Sequence, residues 1–183
     1  DRCITCGSGQ YSDKLGATSC TECVRGRFLT DSATDVSLHD HSGDCVVCTS
    51  GKYSSSEGSE VCSVCSAGKA LADDGVLQLN HDHESDCVIC GSGEYTSAAG
   101  ANACVSCEAG RYLSDIGTSP DLHDNSNDCV LCPSGSWSSG KASVCELCSA
   151  GKSNSNVGTL SEHDDPEDCR VCSSGKYAVA GAS

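Results

Sequence analysis

Residues 39–65 read HDHSGDCVVCTSGKYSSSEGSEVCSVC: two Cys-x-x-Cys pairs, His-Asp ahead of the first and Gly-Lys-Tyr just behind it. Close variants return at 81–107, 123–148 and 163–177. Self-similarity at a fixed period is the signature of a tandem array, in which one small unit is copied and each copy leans on its neighbours. Nine Cys-x-x-Cys pairs run through the chain, starting at Cys3, Cys20, Cys45, Cys62, Cys87, Cys104, Cys129, Cys145 and Cys169. Alternate starts lie 42, 42, 42 and 40 residues apart. Each unit has a short half, with 13 residues between Cys6 and Cys20, and a long half, with 21 between Cys23 and Cys45. The fourth unit is one residue shorter in each half. The units run over 1–44, 45–86, 87–128 and 129–168, with 169–183 beginning a fifth.

Composition explains why such a chain needs sulfur. It has 183 residues, 18 cysteines and a net charge of −15, and Val, Ile, Leu and Phe together number only 29. So few apolar side chains with so much like charge predict disorder unless cross-links replace a core. Cysteine at this density points to disulfides and an oxidising setting, extracellular or cell-surface. An acidic chain with 11 Lys and Arg is a poor partner for nucleic acid or anionic lipid. No apolar run is long enough to insert into a bilayer. With neither a Met nor a signal peptide, the chain reads as an excised segment of a longer array.

Two finer regularities sit inside the repeat. Every pair continues as Cys-x-x-Gly, and two residues after that Gly an aromatic usually follows: Tyr11, Phe28, Tyr53, Tyr95, Tyr112, Trp137 and Tyr177. These are all the aromatics of the chain, with Ala70 and Ser153 in the remaining two slots. Gly permits a turn with φ > 0, and the ring is expected to cover the neighbouring disulfide. The other regularity is His-Asp-x-x-x-Asp-Cys, at His39, His81, His123 and His163. Its carboxylates are Asp40 and Asp44, Asp82 and Asp86, Asp124 and Asp128, Asp164 and Asp168. The plainer reading is a tight turn, with the Asp before the Cys accepting backbone N–H groups and the His as a hydrogen-bonding spacer. The same carboxylates are the candidate Ca²⁺ ligands, although one copy offers fewer oxygens than the six to eight that Ca²⁺ takes. No other cofactor is expected. Frequent Gly, Ser, Asn and Asp exclude long helices. Short strands are expected at segments such as 52–54 and 111–113, and a turn or short strand at 76–79 and 121–123.

Two wirings suit the spacing. In one, the second Cys of a pair joins the first Cys of the next: Cys6–Cys20, Cys23–Cys45, Cys48–Cys62, Cys65–Cys87, Cys90–Cys104, Cys107–Cys129, Cys132–Cys145 and Cys148–Cys169. Cys3 and Cys172 then bond outside the segment. In the other, adjacent pairs face each other as two rungs, such as Cys3–Cys20 with Cys6–Cys23, leaving Cys169 and Cys172 over. The first applies one rule to both half-lengths and is preferred, although spacing alone fixes no connectivity. Zinc is the rival use of paired Cys-x-x-Cys, but nine pairs make no whole number of four-thiolate sites.

The run Cys48-Thr-Ser-Gly-Lys-Tyr-Ser, with Gly58, Cys62 and Cys65, resembles the ephrin-receptor-like cysteine-rich repeat. It is also similar to the small loop modules of tumour-necrosis-factor-receptor ectodomains, a likeness that again favours the first wiring. The resemblance covers the whole chain, implies no catalytic residue, and implies a small disulfide-rich fold. That fold is expected to be mostly irregular with short β-hairpins, an elongated tandem-repeat rod without a large hydrophobic core. Near-identical units in tandem are most similar to surface arrays of algae and other protists. The expected function is structural: a rod or filament segment of a cell-surface appendage, wall or matrix. Its expected partners are further copies or other matrix proteins, with O-glycans on exposed Ser and Thr. The alternative is a stalk or ligand-binding ectodomain of a surface receptor. No enzyme motif is present.

Overall fold

The computed structural model describes residues 3–183. They form two compact units, one comprising residues 3–66, Ala70–Val88 and Ala99–Ala103, the other Ala67–Lys69, Ile89–Ala98 and Cys104–Ser183. Among the described residues the regular structure is eight antiparallel hairpins of two-residue strands and eight 3₁₀ turns. Each hairpin joins the residues after one Cys-x-x-Gly to the two between the cysteines of the next pair. Gln10–Tyr11 pairs with Thr21–Glu22, Arg27–Phe28 with Val46–Val47, and Lys52–Tyr53 with Ser63–Val64. Lys69–Ala70 pairs with Val88–Ile89. The same rule pairs Glu94–Tyr95 with Val105–Ser106, Arg111–Tyr112 with Val130–Leu131, Ser136–Trp137 with Glu146–Leu147, and Lys152–Ser153 with Arg170–Val171.

Eight disulfides follow the chain: Cys6–Cys20, Cys23–Cys45, Cys48–Cys62, Cys65–Cys87, Cys90–Cys104, Cys107–Cys129, Cys132–Cys145 and Cys148–Cys169. Cys3 and Cys172 have no disulfide partner among the described residues. The buried apolar side chains among the described residues are twelve cysteines and three leucines, so this is a small disulfide-rich fold of serial hairpins whose interior is sulfur. Leu29 packs on Cys23 and Cys45 with Tyr11, Leu71 on Cys65 and Cys87 with Tyr53, and Leu113 on Cys107 and Cys129 with Tyr95. Each of these rings packs against the leucine–disulfide cluster of the half that follows it. Phe28, Tyr112 and Trp137 are half-buried. Tyr177 departs from the expected packing: it is 90 % exposed.

A second tier of contacts reaches forward from one repeat to the next, always within one of the two compact units. Gly58 N–H donates to Cys23 O, Gly100 to Cys65 O, Lys141 to Cys107 O and Gly181 to Cys148 O, at 2.8–2.9 Å. These bonds lay the tip of a later short-half loop on the Cys-x-x-Gly turn of an earlier one. The turn glycine is therefore needed twice over. Gly51 has φ 72°, and a Cβ there would stand 2.0 Å from Gly100 O. In the long halves the corresponding seat is filled by a 3₁₀ turn, with Gln78 O over Gly26 and Pro120 O over Gly68. These turns occupy Gln78–Asn80 and Pro120–Leu122, where a turn or short strand was expected at 76–79 and 121–123. Their backbone is held by local i to i+3 bonds and has no strand to pair with.

Two positions in the array break the glycine rule: Lys141, at φ 48°, stands in the series of Gly58, Gly100 and Gly181, and Ala33 is the other. Gly75, Gly117 and Gly158 have φ between 88° and 100°, while the equivalent residue of the first unit is Ala33, at φ 66°. An L-residue with a Cβ costs roughly 1–2 kcal/mol there, and a glycine gives back about 0.4–1 kcal/mol in unfolded-chain entropy. Ala33→Gly is therefore expected to stabilise the first unit by about 0.5 kcal/mol, read as a small rise in melting temperature of the oxidised protein. A fall would show that Ala33 makes a compensating contact.

Candidate functional site: buried histidine–aspartate latches

The His-Asp-x-x-x-Asp-Cys segment builds two devices in succession. The second is a cap. After the histidine the chain enters a 3₁₀ turn at Ser42–Asp44, Glu84–Asp86, Ser126–Asp128 and Pro166–Asp168. The residue ahead of each turn is His41, His83, Asn125 or Asp165, and its side chain accepts an N–H from the turn. In return Asp44, Asp86 and Asp128 accept the N–H of His41, His83 and Asn125 at 2.8–2.9 Å, and Asp168 accepts that of Asp165 at 3.1 Å. This is a reciprocal capping box. It fixes the backbone so that the following cysteine meets its partner.

One oxygen of each of these four carboxylates is thus taken by backbone N–H groups. Asp40 and Asp164 are exposed and Asp82 and Asp124 half-buried. Among the described residues no group of three His, Cys, Asp or Glu is placed to hold a metal ion.

The first device is the histidine itself. His39 is 3 % exposed, and His81, His123 and His163 are fully buried. The Nδ1 of His39, His81 and His123 lies 2.7 Å from the carbonyl oxygens of Gln10, Lys52 and Glu94, 29 residues earlier. Their own carbonyls accept the N–H of Ser12, Ser54 and Thr96 at 2.8 Å. Ring and backbone together clamp the long-half loop to the short-half hairpin. On the other side Nε2 lies 2.9 Å from a carboxylate: Asp31, Asp73 or Asp115. Carbonyl and carboxylate oxygens only accept, so both ring nitrogens must donate. The geometry calls for an imidazolium neutralised by its aspartate, as a buried charge requires.

The aspartate is held by its own loop. Asp31 accepts from the Thr34 hydroxyl and the backbone N–H of Thr34 and Asp35. Asp73 accepts from Gly75 and Val76 N–H and the Asn80 amide. Asp115 accepts from Gly117 and Thr118 N–H and the Thr118 hydroxyl. These donors and the histidine hold all three carboxyls well below the usual carboxylate range. The largest effect comes from the Thr34 hydroxyl, the Asn80 amide and the Thr118 hydroxyl respectively. Burial opposes the charge on His39, but the Gln10 carbonyl and Asp31 outweigh it and raise the ring above its ordinary value.

The pH dependence follows in sign. The lowered Asp31 contributes stability above its ordinary 3.8, lost as pH falls through the folded value. The raised His39 contributes stability below its ordinary 6.5, lost as pH rises through the folded value. The latch is complete between those limits. Hydrogen-exchange protection of Ser12 N–H, corrected for intrinsic rate, is expected to be level from about pH 4 to about pH 6.5 and to fall at alkaline pH. Protection that rises with pH across neutrality would contradict the charged latch.

The aspartates were not among the residues singled out from sequence. The signal was present: Leu-x-Asp stands at 29–31, 71–73 and 113–115, eight residues before each histidine. The fourth unit breaks it. Asn154-Ser-Asn156 stands where Leu-x-Asp is expected, and with one residue deleted His163 lies seven beyond Asn156 (163 − 156). His163 Nδ1 still faces Ser136 O at 2.8 Å, but its buried Nε2 has no hydrogen-bond partner among the described residues. No protein-family model matches the chain, and no curated protein matches it.

Proposed function

We propose that the chain is a segment of an extracellular structural array, a rod- or filament-forming part of a cell-surface appendage, wall or matrix. The supporting observation is the reuse of one seat. Gly9 meets Gly58, Gly26 meets Gln78, Gly51 meets Gly100, Gly68 meets Pro120, Gly93 meets Lys141, Gly110 meets Leu160 and Gly135 meets Gly181. A contact made by a turn and a loop tip, largely through backbone, tolerates any surface side chains and can be continued by further copies. Eight disulfides need an oxidising compartment to form. No helix among the described residues is long and apolar enough to cross a membrane.

The likeness to ephrin-receptor-like repeats agrees with an extracellular place, and exposed Ser and Thr are available to O-glycans. Further copies or other matrix proteins are the proposed partners, and no enzyme activity is proposed. Electron microscopy of native material tests the reading. Fibres with a regular axial spacing are expected. Isolated particles that do not associate would overturn it and favour a receptor stalk.

A further inference from the structure

We propose that the fourth unit is an acid-operated release point, opened when His163 takes a second proton, in an array whose other three histidine latches stay shut. Four equivalent rings differ in one partner. In the first three units each Nε2 donates to an aspartate at 2.9 Å. In the fourth, Nδ1 donates to Ser136 O and Nε2 keeps its lone pair, buried and without a hydrogen-bond partner among the described residues. A proton added there is a charge enclosed with no acceptor, which buried groups avoid by moving to water. Leaving means withdrawing the ring from the hairpin at Ser136–Trp137.

The surroundings supply no substitute counter-ion. Asn154 and Asn156 are neutral; the Asn154 amide donates to Glu162 O and lies 3.4 Å from His163 Nδ1, not Nε2. Glu162 flanks the ring in sequence and its carboxylate takes the Thr159 hydroxyl. On the other flank is Asp164, and Asp168 is taken by the N–H groups of Asp164 and Asp165. On the packed elements, the Arg111 guanidinium is bound to Cys129 O, and Arg170 lies in a crevice with Asn154, Asn156 and Asp168. None of these reaches Nε2. The long-half core is weakened as well, because Asn154 fills the slot of Leu29, Leu71 and Leu113. The loop stays tethered through Cys148–Cys169, so release exposes it without separating the chain.

Four equivalent amides report the state of the four latches: Ser12, Ser54, Thr96 and Ser138 donate to the carbonyls of His39, His81, His123 and His163, each at 2.8 Å. In the oxidised full chain, hydrogen exchange corrected for intrinsic rates is measured at pH 7 and pH 5. Protection of Ser138 is expected to fall at least ~10-fold on acidification, as one linked proton allows, while the other three amides hold theirs. ¹⁵N imidazole spectra of the latched state are expected to show both ring nitrogens protonated in His39, His81 and His123, which face oxygen acceptors on both sides, and Nδ1 alone in His163. Asp73→Asn is expected to transfer the acid response to Ser54. Ser138 moving with the other three, His163 doubly protonated while Ser138 stays protected, or an Asp73→Asn protein whose Ser54 ignores pH would each overturn the proposal.

Discussion

Replacing Cys65 and Cys87 together by alanine is expected to cost the second unit about 3–5 kcal/mol and to remove protection from the Gly51 and Ser54 amides. Closing a loop of this length contributes roughly 3 kcal/mol through the unfolded chain. The bond also forms the floor on which Leu71 and Tyr53 pack, so its loss opens a cavity in an interior with almost no other apolar material. The short-half bond Cys48–Cys62 is the comparison. It closes a shorter loop, with a sequence separation of 14 against 22, and Cys62 is only half-buried. The corresponding double alanine is expected to cost about 3 kcal/mol, from the unfolded-chain effect alone. Denaturant unfolding of both variants, oxidised and with exchange read unit by unit, measures the difference. Equal losses would mean that the leucine clusters contribute nothing beyond loop closure.

Gly51→Ala is expected to be as damaging as losing a disulfide, at more than about 3 kcal/mol, whereas Gly151→Ala costs only about 1–2 kcal/mol. Both glycines have positive φ, 72° and 84°, so both substitutions carry the left-handed penalty. They differ in what lies above. The Cβ of the first would enter the backbone of Gly100, with its carbonyl oxygen 2.0 Å and its carbonyl carbon 2.4 Å away, while the second meets nothing within 4 Å. Backbone cannot swing aside as a side chain can. The loop at Gly100 must therefore lift, and with it go the bonds from Gly100 N–H to Cys65 O and from Leu71 N–H to Ala101 O. Melting temperatures of the two oxidised variants separate the effects. Similar small losses in both would remove the case for the stacked seat.

The sequence made the hairpins and the turn chemistry legible because both depend on residues close together. Cys-x-x-Gly announces a left-handed turn, and the four words His41-Ser-Gly-Asp44, His83-Glu-Ser-Asp86, Asn125-Ser-Asn-Asp128 and Asp165-Pro-Glu-Asp168 announce a capped one. The seat of one half on the half two places earlier was not legible, since it uses backbone carbonyls, which leave no mark in composition. His39 could be noticed by its repetition, but its role could not be assigned. One of its partners is the carbonyl of Gln10, anonymous in sequence, and Asp31 was one acid among many in a chain of net charge −15.

The serial wiring also governs what happens under tension. A pull along the chain enters at Cys6, crosses to Cys20 through the disulfide, runs three residues to Cys23 and crosses again to Cys45. The loops between bonded cysteines are bypassed and carry no load. Each half can therefore lengthen only to one disulfide crossing, 5.8 Å between Cα atoms at Cys6–Cys20, plus three peptide steps of about 3.4 Å. That makes a strap of about 16 Å per half at full stretch, nearly inextensible, in which the stacked loops stay folded while covalent bonds take the force.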